Sequence, residues 1–249
     1  WMFDGVTATS FDLSSGSSSS SPKYLTVFND KLYFQANVGG DKELWVYDGT
    51  GTPSIAFDLN PSSSSSPEHL AVIGDNLFFS ATDETLGEEM WMYDGTNSPS
   101  VVVDMWKGEG SSSPSQFTLL NETLFFTAED KFYGRELFYL DQNDDPVLVE
   151  DLNKVSKPDH VQHLLVVDDQ TMLFAAIGSV DEGSELWMWK GEGTFPELVR
   201  DIRPGESGSS PKDLTLFDGD VYFSASDDVH GTEVWRFFSN NATVQLAAD

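Results

Sequence analysis

At 249 residues the chain is long enough to bury a sizeable core. Its formal net charge of -29, from 42 acidic and 13 basic residues, argues against nucleic acid and anionic membrane surfaces as partners, and the absence of cysteine excludes disulfides, thiolate metal sites and cysteine nucleophiles. No apolar run approaches the ~20 residues that span a bilayer; the chain starts in mid-phrase at Trp1, so it reads as an excerpt of a longer protein and a missing signal peptide says nothing.

The chain opens on Trp1-Met-Phe-Asp-Gly5 and reaches a Ser run closed by Pro22. Tyr24 to Phe28 is then a short apolar run, and Asn29-Asp30 is a two-residue hairpin signal. Lys31 to Ala36 predicts a second strand, Gly39-Gly40 a looser turn, and Glu43 to Tyr47 a third strand. Asp48-Gly49 turns the chain into a fourth strand, Ser54 to Asp58, and a polar connector from Asn60 to Pro67 follows. The same punctuation then returns. The first turn reads Gly74-Asp75, Asn121-Glu122, Asp168-Asp169 and Asp218-Gly219, and each later connector ends in Pro, at Pro114, Pro158 and Pro211.

One phrase anchors each unit: Glu43-Leu-Trp45, Glu89-Met-Trp91, Glu136-Leu-Phe138, Glu185-Leu-Trp187 and Glu233-Val-Trp235, with Trp1 at the equivalent place in a partial first unit. The intervals run from 44 to 49 residues. A period in the forties with four short strands per unit predicts a β-propeller. Runs such as Leu32-Tyr33-Phe34 are apolar on both faces, as a blade packed between two others requires. The expected fold is all-β, a propeller of four-stranded antiparallel blades with five complete repeats plus a half repeat, five- or six-bladed, in one domain over 1–249. The units fall at about 1–22 (half), 23–67, 68–114, 115–158, 159–211 and 212–249. The half unit leaves a pairing edge that suits assembly.

The unit resembles the ELWxxDGT repeat, best in Glu43-Leu-Trp-Val-Tyr-Asp-Gly-Thr50 and in the connector from Asp201 to Pro211. The resemblance covers the whole chain. It implies a β-propeller in a large secreted or surface protein, and location more than activity. The unit 115–158 departs from the pattern: Phe138 replaces Trp, Gln142 replaces Gly, and Val155-Ser-Lys-Pro158 replaces Gly-Ser-Ser-Pro. That blade is the expected place for a specialised contact.

Several residues invite a functional reading beside a plainer one. The repeated Trp side chains suit stacking on sugar rings, yet Leu44 and Val46 flanking Trp45 favour core packing. Trp106 and Trp189 lie outside the repeated position and are the candidate exposed contacts. An Asp ends the fourth strand of each unit, and Asp83, Asp130 and Asp227 stand in the second turn. These carboxylates offer oxygen ligands to Ca2+, or else cap their own turns. Asp141-Gln-Asn143-Asp-Asp145 alternates oxygen-bearing residues, but Pro146 stands where a Ca2+ loop needs Gly and Leu152 where it needs Glu. His160 and His163, three apart on a strand, face opposite sides. Asn121-Glu-Thr123 and Asn241-Ala-Thr243 are candidate glycosylation sites. The Ser runs 17–21 and 62–66 read as solvated linker or O-glycan acceptors.

No Ser-His-Asp grouping stands out, and 42 acidic residues guarantee chance carboxylate pairs. The sequence therefore reads as an extracellular or cell-surface structural and protein-interaction propeller module. Other protein chains are its expected partners, within a larger surface or filamentous assembly. No enzyme activity, catalytic residue or cofactor-binding residue is expected, and Ca2+ is the candidate cation. The runner-up is a carbohydrate-binding, lectin-like propeller with glycans as partners. A glycosidase or lyase on a propeller scaffold comes third.

Overall fold

Pairs of left-handed residues set the register of the hairpins. In the computed structural model, Asn29 and Asp30 (φ 48° and 59°), Asn121 and Glu122 (48° and 63°), and Asp218 and Gly219 (50° and 80°) all take positive φ. That is the geometry that lets two residues reverse twisted strands. The structure describes all residues except 4, 15, 153–160, 179–182, 192 and 249. Pro158, His160 and Asp249 therefore lie outside the described residues.

The described residues form a two-stranded sheet and five four-stranded ones, each antiparallel and in sequence order. The half repeat pairs β1 (Met2–Phe3) with β2 (Ala8–Thr9). The first blade holds β3 (Lys23–Phe28), β4 (Lys31–Val38), β5 (Asp41–Tyr47) and β6 (Ser54–Phe57). The second holds β7 (Glu68–Ile73), β8 (Asn76–Asp83), β9 (Gly87–Tyr93) and β10 (Ser100–Val103). The third holds β11 (Ser115–Leu120), β12 (Thr123–Asp130), β13 (Gly134–Leu140) and β14 (Pro146–Leu148). The fourth holds β15 (Gln162–Val166), β16 (Met172–Ile177), β17 (Ser184–Trp189) and β18 (Glu197–Arg200). The fifth holds β19 (Lys212–Phe217), β20 (Asp220–Asp227), β21 (Gly231–Phe238) and β22 (Thr243–Ala248).

The chain divides into two compact units, Trp1–Ser115 and Gln116–Asp249. In each, the opening strand of one blade lies beside that of the next. In the first unit, the Tyr24 hydroxyl donates to Glu68 at 2.9 Å and the Thr26 hydroxyl to the Leu70 carbonyl at 3.3 Å. In the second, the Leu164 N–H donates to the Gln116 side chain at 3.0 Å. Every opening strand carries one left-handed residue at its second position: Tyr24, His69, Gln116, His163 or Asp213, with φ between 55° and 59°. Where the register is defined it breaks at that point, as between Lys23 and Thr26 or between Lys212 and Thr215. The result is a bulge that re-aims each opening strand.

One turn departs from the sequence reading. Asp168-Asp169 makes no two-residue hairpin. The Val167 N–H instead reaches the Thr171 carbonyl at 2.9 Å, and the Asp168 carboxylate accepts from the Gln170 N–H at 2.9 Å, giving a wider loop.

The aliphatic residue of the repeated phrase packs against the aromatic of the next blade. Leu44 clusters with Phe79 and Trp91, Leu137 with Phe174 and Trp187, and Leu186 with Phe223 and Trp235. All three leucines are essentially inaccessible. Burying such a side chain contributes about 1.5–3 kcal/mol. Leu186→Ala is expected to lower stability by about 2–5 kcal/mol, because the close-packed cluster cannot collapse onto the void. Urea unfolding of the two proteins measures it.

Candidate functional site

The Glu of the repeated phrase is the most conspicuous buried polar group. Glu43, Glu89 and Glu185 are 2%, 0% and 2% exposed. Each clasps a connector serine. Glu43 accepts the Ser65 N–H at 2.9 Å and the Ser65 hydroxyl. Glu89 accepts the Ser112 N–H at 3.2 Å, the Ser112 hydroxyl, and the Met105 N–H at 3.4 Å. Glu185 accepts the Ser209 N–H and hydroxyl at 2.7 and 2.5 Å, and the N–H groups of Ile202 and Arg203 at 3.1 and 3.3 Å. The next N–H of each connector returns to the strand: Ser66 to the Lys42 carbonyl, Ser113 to Glu88 and Ser210 to Ser184, at 2.9, 3.2 and 2.9 Å. The carbonyls of Ser65 and Ser209 in turn accept from Thr82 and Ser226 of the following blade, at 2.8 and 2.9 Å. The clasps of Glu43 and Glu185 therefore tie a blade to its neighbour through the connector.

The Ser runs are thus only partly linker. Ser65, Ser112 and Ser209 are buried, whereas Ser17 to Ser19 are exposed. The sequence carried a signal for this: a Glu stands 22 to 24 residues before a Ser-Ser-Pro in each of these units.

Burial pushes the Glu43 and Glu89 carboxyls up to about 7, against the lowering pull of their serine donors. Glu185 is raised for the same reason. The carboxyls of Asp227, Asp94 and Asp141 move the other way. Backbone N–H donors, chiefly that of His230, bring Asp227 down to about 2, and those of Asn97 and Thr96 hold Asp94 low. These acids spend their oxygens on their own turns. Asp83 accepts from Thr85 and Leu86, Asp130 from Phe132 and Tyr133, and Asp141 from Asn143 and Asp145. Among the described residues no three His, Asp or Glu side chains converge to hold a metal ion.

The two candidate contact tryptophans fare differently. Trp106 is half-buried, lying so close over Gly110 that a Cβ there would come within 2.3 Å of the indole. Trp189 is not an exposed contact: it is only 5% exposed, and its indole N–H donates to the Thr194 carbonyl at 3.2 Å. It occupies the inward place that Tyr93 holds in the second blade, two residues beyond the repeated Trp. Of the tryptophans at the repeated position, Trp45, Trp91 and Trp235 are core, Trp187 is partly buried and Trp1 is exposed. Trp45, Trp91 and Trp235 are 8%, 8% and 4% exposed, and Trp91 and Trp235 each donate to a carbonyl ten residues back, those of Ala81 and Ala225, at 3.0 Å.

Asn121 and Asn241 are both exposed in turns, and both line clefts of the second unit. A cleft of about 260 Å³ is bounded by Asn121, Thr123, Asp169, Gln170 and Lys190 above Phe125, Tyr139 and Trp189. A second, of about 300 Å³, takes Asp168, Thr171, Lys190, Asn240 and Asn241 as its polar wall. Lys190 borders both. Sequence reasoning missed them. The available signals were Lys190-Gly191 in place of Asp-Gly and the wider loop at Asp168-Asp169.

The arrangement of blades is that of a β-propeller, and solved structures of that fold resemble it. The S511A mutant of a puromycin hydrolase complexed with PGG shares 11% identity over 90% of this chain and 37% of that one, with a TM-score of 0.60. A Mycobacterium tuberculosis puromycin-hydrolyzing peptidase shares 10% over 92% and 39%, with a TM-score of 0.63. A prolyl endopeptidase shares 10% over 93% and 36%, with a TM-score of 0.61. At such identity the likeness is one of fold: all-β, a propeller of four-stranded antiparallel blades. The chain spans less than two fifths of those chains' lengths. No protein-family model matches the chain, and no curated protein does. The likeness corrects the expectation that set this chain apart from enzymes, because each of these neighbours is a hydrolase or peptidase.

The clasps give a pH signature. A free Glu carboxyl titrates near ~4.3, whereas the folded Glu89 carboxyl does so at about 7. Between those values the folded state keeps protons that the unfolded state has released, so stability falls as pH rises through the window. Asp227, depressed to about 2, works oppositely and only below ~4. The urea midpoint is expected to rise on going from about pH 7.5 to about pH 5, and Glu89→Gln to flatten that rise.

Proposed function

We propose that the chain is an interaction propeller, a structural module of an extracellular or cell-surface assembly whose partners are other protein chains. One observation carries this reading: the exposed aromatic pair Phe132 and Tyr133, 77% and 44% exposed, at the second turn of the third blade. Their rings stand 6.4 Å apart, edge to face. The turn beneath them is pinned, because Asp130 accepts the Phe132 N–H at 2.7 Å and the Tyr133 N–H at 3.3 Å. A fixed, exposed aromatic pair loses little conformational freedom on docking, and aromatic anchors of this kind dominate protein interfaces. The pair sits in the blade whose sequence departs most from the repeat. The match covers 37% and 39% of the two structural neighbours' chains, which fits a module that works beside other structure. The acidic surface and the likeness to secreted repeat proteins support the location.

Light scattering of the native protein after size exclusion tests the reading. A mass well above 27.5 kDa that falls to that of the monomer in the Phe132→Ser, Tyr133→Ser double variant is expected. A monomer in both proteins, or an assembly untouched by the substitutions, contradicts it.

A further inference from the structure

In the first unit the junction between the first turn of one blade and the third turn of the next is closed. The Asn29 side chain lies where a Cβ on Gly95 would come within 2.3 Å of it. Phe28 and Phe57 pack edge-on against Tyr93, with ring centroids 5.8 and 4.9 Å apart. At the equivalent junction of the third and fourth blades, Leu120 stands for Phe28, Asn121 for Asn29 and Trp189 for Tyr93. The smaller Leu120 and the wide loop at Asp168 leave the gap open. A Cβ on Gly191 would meet nothing nearer than the Gln170 carbonyl at 3.9 Å. The next junction, between the fourth and fifth blades, is open as well, and Lys190 stands on the ridge between the two clefts.

The chemistry of the first cleft selects a ligand class. Its base is aromatic, from Phe125, Tyr139 and Trp189. Its rim holds the Asn121 and Gln170 amides, the Thr123 hydroxyl, the Asp169 carboxylate and the Lys190 ammonium. Several turn carboxylates, such as Asp48, Asp94 and Asp168, are bound to their own backbone. By contrast, the side chains of Asn121, Asp169, Gln170 and Lys190 make no hydrogen bond or ion pair among the described residues, so donors and acceptors stand ready side by side. A pyranose matches this arrangement. Its C–H face suits an aromatic base, and its neighbouring hydroxyls suit amides and carboxylates that accept and donate in pairs. Asp168, Asp169 and the net charge of -29 disfavour an anionic ligand.

We propose that the two clefts of the second unit form a binding site for a neutral oligosaccharide, with sugar rings in adjacent clefts on either side of Lys190. Within a blade, the first and third turns lie at the opposite end of the strands from the second turn. The site is therefore remote from Phe132 and Tyr133, and it stands independently of the interaction reading.

Intrinsic Trp fluorescence and calorimetry test this on the intact protein made in bacteria, so that Asn121 stays unmodified. The probes are cellotetraose, maltotetraose and chitotetraose, with tetragalacturonate as the charged control. At least one neutral probe is expected to saturate with a Kd of about 1 mM or tighter. Asp169→Ala and Gln170→Ala, both exposed positions, are each expected to weaken it about tenfold or more, and the Phe132, Tyr133 double variant to leave it unchanged. The proposal is overturned if no neutral probe saturates, if both alanine variants bind as well as the parent, or if tetragalacturonate binds more tightly.

Discussion

A buried carboxylate filled by backbone and hydroxyl donors organises this fold. Taking a carboxyl group out of water is costly unless its oxygens are filled. Here the connector serines and their backbone neighbours fill them. Glu185 accepts four donors from one connector, and those donors are themselves backbone and hydroxyl groups that would otherwise be buried without partners. The clasp thus satisfies two sets of polar groups at once. It also dictates the connector's path, because Ser209 must meet Glu185 on one side and the Ser226 N–H on the other. The repeated phrase is conspicuous for its Trp, but its Glu fixes where the next blade begins.

Packing follows from that path. Once a connector is pinned, the aliphatic residue beside the Glu faces the aromatic of the next blade, as Leu44 faces Trp91 and Leu186 faces Trp235. Polar clasp and apolar contact come from neighbouring residues of one strand, so they cannot be optimised separately. The left-handed residue at the second position of each opening strand belongs to the same device, since the bulge it makes comes directly after the connector. Variation is tolerated at the other end of the blades. There the turns Asn121-Glu122 and Lys190-Gly191 hold no clasp, and there the clefts open.

The architecture was legible because a period in the forties, four apolar runs and turn residues at fixed offsets all report the same local geometry. The core role of Trp45 was legible from its apolar neighbours. The turn-capping role of Asp83, Asp130 and Asp227 stands beside cation binding in the sequence, and the N–H groups that each accepts are visible only in the fold. Ser65 in a run of five serines looks like solvent-facing linker, because burial of a small hydroxyl leaves no hydropathy trace. Trp189 looked free because it lies off the repeated position, yet a strand returns every second residue to one face, so Trp187 and Trp189 share a side. The clefts were hidden for a different reason. They depend on the size of Leu120 against Phe28 and on a loop one residue longer than the pattern predicts, and neither changes the hydrophobic pattern.

A double-mutant cycle on Glu185 and Ser209 tests the central claim most directly, with urea unfolding of Glu185→Gln, Ser209→Ala and the double variant at neutral pH. If the clasp ties blade to connector, the two substitutions couple by about 1–3 kcal/mol, because each removes the other's partner from a buried site. Effects that simply add, within about 0.5 kcal/mol, would mean that Glu185 and Ser209 are buried side by side without holding the blades together, and would contradict the account.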